Sequence, residues 1–241
     1  MPQERCSSDA ELNLDVEPFL LKERVRRIQN RLDDCKRKRV RKIKTPSNES
    51  NSHFHLDSYS YCTSVLIGLL GDNVKDKTIV EIGPGYFGRY MLDLLANDGA
   101  MVIGLDRVDG KLYKKPLCGG GKYVIAPMEK MSDVIPREST DLINIMHMNP
   151  SPWDWDVGRA YSYGNFFQRR KVKLAIEMYD SLVSKQLNFI LKKGGYVTVW
   201  YCPVGDFRLR PADVIKAGFT HWEYDTFMRI PGYCLDVYQK Q

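Results

Sequence analysis

Near the start of the chain the apolar residues Leu21, Val25, Ile28 and Leu32 recur at steps of three and four, which puts them on one face of a helix from about residue 20 to residue 32. Charges continue beyond it through Lys36–Lys44. TPSNESNS (45–52) follows as a loop or linker, rich in turn formers and without apolar anchors. The stretch HLDSYSYCTSVLIGLLGD (55–72) predicts a second helix, with Asp57 or Ser58 as its cap and Gly71 as its stop. After residue 77 the texture changes to short apolar runs alternating with amphipathic stretches, the pattern of β-α-β units. Strands are expected at 78–83, 101–106, 122–126, 140–146, 195–201, 219–225 and 233–239, and helices near 87–97, 128–134, 168–192 and 209–217. This order predicts a basic helical extension and linker over 1–52, followed by one α/β domain over 53–241.

A chain of 241 residues with 43% hydrophobic content can build one sizeable core. No window approaches the roughly 18 consecutive apolar residues of a membrane span, so no membrane partner is expected. The opening MPQERCSSDAELNLDVEP is polar and acidic, which argues against a secretory signal and for a cytoplasmic protein. The cysteines (Cys6, Cys35, Cys62, Cys118, Cys202 and Cys234) are scattered, with no C-x-x-C pair and no histidine at ligand spacing. No metal is expected, and the thiols are expected to be reduced and structural. The net charge of +6 is unevenly placed: residues 22–44 hold twelve Lys and Arg against Glu23, Asp33 and Asp34, so the remainder is slightly acidic. Overall charge is then a poor argument that the α/β domain binds nucleic acid.

The segment TIVEIGPGYFG (78–88) carries the sharpest chemistry. Thr78–Gly83 reads as a strand covered on both faces, ending in Gly83-Pro84-Gly85 with Gly88 and a helix beyond. Glycines there let the backbone turn sharply and let a ligand approach without a Cβ in the way. The next strand, MVIGLD, ends in Asp106, whose carboxylate suits both hydroxyls of a ribose. Strand, glycine turn, helix, second strand and terminal acid in that order also suit a dinucleotide dehydrogenase, in which the helix would face a pyrophosphate. An amino acid and a sulfonium instead favour an acid near the turn, and Glu81 supplies one.

VEIGPGYFG resembles the first motif, E/D-x-G-x-G, of class I S-adenosylmethionine-dependent methyltransferases, and VIGLD resembles their ribose-binding second strand. LKKGGYVTVWY (191–201) resembles that family's fifth strand with its preceding Gly-Gly turn. FTHWEYDT and YCLDVYQK resemble its closing reversed hairpin. Over roughly residues 55–241 the resemblance implies a Rossmann-like α/β fold: a seven-stranded, mostly parallel sheet with a C-terminal antiparallel hairpin, here behind an N-terminal helical extension. It implies S-adenosyl-L-methionine as cofactor, with Glu81, Gly83, Pro84, Gly85, Asp106, Met128, Glu129 and His147 as candidates to bind it. Where many members have an acid after the third strand, this chain reads VIAPMEKM: Met128 could pack on adenine and Glu129 or a backbone group could meet its edge, or Met128 is core on a helix face.

The fourth strand runs out into MNPSPWDWDVGRAYSYGNFF (148–167), a long segment without periodicity but rich in aromatics, the composition of a wall around an acceptor or of a loop clamped to the surface. His147, Asp154 and Asp156 flank the strand end as candidate bases or anchors for methyl transfer. NPSPW (149–153) distantly resembles the N-P-P-aromatic motif of enzymes that methylate exocyclic nitrogens, though Ser151 splits the prolines. Asn149, Trp153, Trp155, Tyr161 and Tyr163 are the candidate acceptor contacts.

The leading expectation is methyl transfer to a nitrogen or oxygen of a small metabolite. The alternative is a nucleic-acid methyltransferase whose 22–44 arm binds phosphates while aromatics stack a flipped base. A non-catalytic Rossmann scaffold stands third, disfavoured by the intact Gly83, Gly85 and Asp106.

Overall fold

Ile79, Val80, Glu81 and Ile82 are all buried in strand β1 (Thr78–Ile82), because both faces of the sheet at this point are covered. The computed structural model describes residues 21–30, 32, 60–107, 117–146, 166–201, 209–224 and 234–241. Strand β1 pairs in parallel with β2 (Met101–Asp106) on one side and β4 (Thr140–Met146) on the other. Beyond these, β3 (Lys122–Ile125) joins β2 and β5 (Leu191–Tyr201) joins β4, again in parallel. Strand β7 (Cys234–Lys240) is antiparallel to both β5 and β6 (Phe219–Tyr224). The sheet order is β3-β2-β1-β4-β5-β7-β6, with β7 reversed against the other described strands. This is the Rossmann-like sheet with a reversed closing hairpin that the sequence led us to expect.

Successive residues of a strand face opposite sides, so each strand feeds two cores. On one side Ile79, Val102, Leu142 and Trp200 pack against helices α1 (21–30), α2 (60–69) and α3 (Gly85–Asn97). On the other, Val80, Ile103, Ile143 and Val197 pack against α4 (Phe166–Ile190) and α5 (Pro211–Lys216). Leu21, Val25, Ile28 and Leu32, the stripe found in the sequence, are buried in the first core, while Lys22, Glu23, Arg26 and Arg27 point outward. Helix α1 lies close on α2 because Gly68 faces it: a Cβ there would stand 3.0 Å from Leu21 Cδ1 and 3.3 Å from Val25 Cγ2. The basic helix thus shares a core with the sheet, and the linker 45–52 lies outside the described residues.

Several expected boundaries shift for local reasons. Strand β5 starts at Leu191 rather than 195. Leu191 sits opposite Thr140 and Tyr196 opposite Leu142, so the intervening Lys192–Gly195 segment forms a bulge. Met128–Asp133 is a 3-10 segment, not an α-helix: Pro127 before it is extended and Lys130 leaves helical geometry at φ −123°. Helix α3 begins at Gly85, immediately after the turn. At the opposite edge of the sheet, Asp141 accepts the Thr78 N–H and the Lys192 ammonium, each at 2.8 Å, and so fastens the starts of β1, β4 and β5 together. Among the described residues no helix is long and apolar enough to cross a membrane.

Candidate functional site

Ligands of open α/β sheets bind beyond the carboxyl ends of the strands. At that edge β1 runs into Gly83, whose φ of +65° is a left-handed conformation that costs a side chain-bearing residue free energy. The Gly83 N–H donates to the Leu105 carbonyl at 2.8 Å, so the turn is fastened to β2. Pro84 precedes α3 without a side-chain cap, and no acid lies in the helix's first turn, so amides of that turn look for another acceptor. Asp106, half-buried, is the last residue of β2, and its carbonyl accepts the Ala126 N–H at 2.8 Å. The glycine turn and Asp106 therefore close two adjacent parallel strands side by side.

Behind the turn lies a polar row that sequence reasoning missed. Glu81 is opposite Asn144 in β4, and Asn144 is opposite Thr198 in β5. The Thr198 hydroxyl donates to Asn144 Oδ1 at 2.6 Å, and Asn144 Nδ2 donates to Glu81 Oε2 at 2.6 Å. All three are buried, at 0–1% exposure. Burial lifts the Glu81 carboxyl well above the ordinary carboxylate range, opposed by the Asn144 hydrogen bond. No Lys, Arg or His pairs with Glu81 among the described residues. The Cys62 thiol of α2 is pushed up by burial first and by the charge of Glu81 second. A signal was present in the sequence: Asn144 and Thr198 interrupt the apolar runs DLINIMH and GYVTVWY at the positions that pairing brings level with Glu81.

After β3, Met128 is buried in the second core with Met131 and Ile135, so its side chain serves packing. Glu129 accepts a long hydrogen bond, 3.4 Å, from the Tyr179 hydroxyl of α4. Burial raises that hydroxyl above its ordinary range, and the neighbouring Glu129 charge adds to the effect. His147, Asn149, Trp153, Asp154, Trp155, Asp156, Tyr161 and Tyr163 lie outside the described residues. Gly85 opens helix α3 directly after the turn. Among the described residues no three His, Cys, Asp or Glu side chains are grouped to hold a metal ion.

No family model and no curated protein sequence matches the chain. Solved structures do resemble it. One is the aminoglycoside resistance methyltransferase NpmB1, 15% identical over 74% of this chain and 93% of that one, with a TM-score of 0.45. Another is a SAM-dependent methyltransferase from Archaeoglobus fulgidus, 12% identical over 76% and 94%, with a TM-score of 0.46. A third, the Burkholderia thailandensis 1,6-didemethyltoxoflavin-N1-methyltransferase with bound 1,6-didemethyltoxoflavin and S-adenosylhomocysteine, is 12% identical over 94% and 91%, with a TM-score of 0.46. The strand order and the reversed β7 are those of a Rossmann-like α/β fold.

Proposed function

We propose that this chain is an S-adenosylmethionine-dependent methyltransferase acting on a nitrogen or oxygen of a small metabolite. One observation carries the reading: a left-handed glycine turn backed by a buried acid ends β1, beside a β2 that ends in Asp106, within the β3-β2-β1-β4-β5-β7-β6 sheet. The parts fit the group. Asp106 supplies a carboxylate for ribose hydroxyls on the strand next to the turn, the Gly83-Pro84-Gly85 backbone permits close approach, and Glu81 supplies negative charge behind an amino acid and a sulfonium. The cofactor, when bound, supplies an electrophilic sulfonium methyl. This chain's residues then align the acceptor, exclude water and take a proton where the acceptor requires it.

In this reading Glu129 and the backbone near it meet the adenine edge, with Met128 supporting from the core. His147, Asp154 and Asp156 are the candidate bases, and His147 is also a candidate cofactor contact. Asn149, Trp153, Trp155, Tyr161 and Tyr163 form the acceptor wall, and no metal takes part. A second reading, a nucleic-acid methyltransferase, is favoured by the outward-facing Lys22, Arg26 and Arg27 of α1, which continue into the basic run to Lys44.

Calorimetry with S-adenosylmethionine and S-adenosylhomocysteine, followed by isotope transfer to metabolite, peptide and RNA pools, tests both. Absence of binding by the folded chain ends the cofactor reading. Label appearing in RNA alone selects the second reading, and binding without transfer to any pool favours a scaffold.

A further inference from the structure

We infer that Asn144 and Thr198 are positioning residues for the cofactor site, forming a reversible hydrogen-bond row that lets the buried Glu81 carboxyl give up a proton when a cationic ligand binds. The inference rests on the S-adenosylmethionine reading above.

The row is polar on both sides of an amide, and that is what makes it reversible. In the observed arrangement the donors run Thr198 to Asn144 to Glu81, so the amide NH₂ is aimed at Glu81 Oε2 and the carboxylate form is served. If Glu81 carries a proton, its O–H needs an acceptor. Rotation of the Asn144 amide by a half turn presents Oδ1 to Glu81 and Nδ2 to Thr198. The Thr198 hydroxyl must then accept from Asn144 and donate elsewhere, and the Ile143 carbonyl lies within reach at 3.5 Å. Both charge states of Glu81 are thereby satisfied without moving the backbone. A leucine in place of Asn144 would satisfy neither, and a valine in place of Thr198 would leave the Asn144 amide without its outer partner in either state.

The surroundings explain why the proton would move at all. Among the described residues, titratable and charged groups near Glu81 are few. Helix α2 brings Cys62, a thiol that burial keeps protonated. Helix α3 brings Met91, whose sulfur lies 4.0 Å from Asn144 Nδ2, while its Arg89 and Asp93 pair with one another at 3.8 Å. Strand β2 offers Gly104 opposite Glu81, and β4 and β5 offer only Asn144 and Thr198. With no cation paired to it among the described residues, the buried carboxyl favours its neutral form, and a ligand bearing an ammonium and a sulfonium at the end of β1 reverses that preference. In balance, Glu81–COOH and the cationic ligand give Glu81 carboxylate with bound ligand, and one proton goes to buffer.

Titration of the full chain with S-adenosylmethionine, in two buffers of unlike ionisation enthalpy between pH 5 and 7, counts that proton. The wild type is expected to release up to about one proton per ligand wherever Glu81 is protonated in the free chain, with affinity rising by up to about tenfold per pH unit until Glu81 ionises there. Glu81→Gln should release only what the ligand's own amino group contributes. Asn144→Leu should move the pH at which affinity levels off upward by about one unit or more, because the carboxylate has lost its donor. Thr198→Val, nearly isosteric and the safer variant to fold, should move it in the same direction by less. A purely structural row would lower the melting temperature of these variants and leave proton count and pH midpoint where they are, which overturns the inference. Wild-type binding with no more proton release than Glu81→Gln overturns it too and leaves the cofactor reading standing. No binding at any pH removes the cofactor reading itself, and the inference with it.

Discussion

Gly83 donates its main-chain N–H to the carbonyl of Leu105 at 2.8 Å, so the turn that ends β1 is fixed to β2 one residue short of Asp106. The relationship couples a backbone conformation to a side-chain position. Gly83 sits at φ +65°, and an alanine there costs on the order of 1–2 kcal/mol or forces the turn to relax. Relaxation would pull the turn away from Leu105 and change its distance from Asp106. Gly83→Ala is therefore expected to lose affinity for S-adenosylmethionine by about tenfold or more while keeping a cooperative melting transition. Wild-type affinity in calorimetry would place the cofactor elsewhere.

Asp106→Ala isolates the side chain from the backbone. The residue ends its strand and is half-buried, so the sheet survives its truncation. Losing a charged acceptor to two ribose hydroxyls should weaken cofactor binding by about 1.5–3 kcal/mol, roughly ten- to a hundredfold. Asp106→Asn should fall between, since the amide keeps one acceptor oxygen. An unchanged dissociation constant in a folded Asp106→Ala variant would refute the ribose assignment.

Much of this architecture was readable along the chain, because apolar runs bounded by glycine mark buried parallel strands and the stripe of Leu21, Val25, Ile28 and Leu32 marks a helix face. The acid before the glycine turn and Asp106 at the end of the next strand were legible for the same reason: each is set by its distance along one strand. What depends on pairing between strands was not. Asn144 and Thr198 look like isolated polar residues until the register sets them beside Glu81. The early start of β5 was hidden because the Lys192–Gly195 bulge breaks its alternation. The 3-10 geometry of Met128–Asp133 follows from Pro127 and a non-helical Lys130, too local for a periodicity to report.

Asp180 gives the fold a pH dependence of known sign. Burial pushes its carboxyl up to about 6. Arg210, at 3.5 Å, opposes this, and the charges of Asp213 and Glu177 reinforce it. The folded chain thus holds this proton more tightly than the unfolded chain, where the group titrates near 4. Its contribution to stability is complete below about pH 4 and is lost as pH rises through about 6. Asp180→Asn removes that loss, while Arg210 keeps Glu177 at 2.8 Å and its pairing with Asp213. The melting temperature of the variant relative to wild type should rise between pH 4 and pH 7, corresponding to on the order of 1–2 kcal/mol. A relative melting temperature that falls over the same interval would mean that the ion pair with Arg210 outweighs burial.

Helix α1 decides how the basic arm can be tested. Deleting residues 1–44 removes Leu21, Val25, Ile28 and Leu32 from the core they share with α2 and the sheet, so weaker nucleic-acid binding by that truncation would report unfolding as readily as removal of a phosphate-binding surface. Substitutions on the two faces separate the effects. Leu21→Ala takes a side chain 1% exposed from its place beside Gly68 and should cost about 2–4 kcal/mol of stability, read by denaturant unfolding. Lys22→Ala with Arg26→Ala removes two exposed cations and should change stability by no more than about 0.5 kcal/mol. Arg27 is left in place because its guanidinium pairs with Asp72 at 3.0 Å. If the arm binds nucleic acid, the double variant should weaken RNA or DNA binding and reduce the magnitude of its log–log salt slope by up to about two, roughly one for each phosphate no longer neutralised. If the acceptor is a small metabolite, kcat/KM for methyl transfer should match the wild type across the same salt series. A salt slope unchanged by the double variant, with polymer still bound, would move the phosphate-binding surface away from α1 altogether.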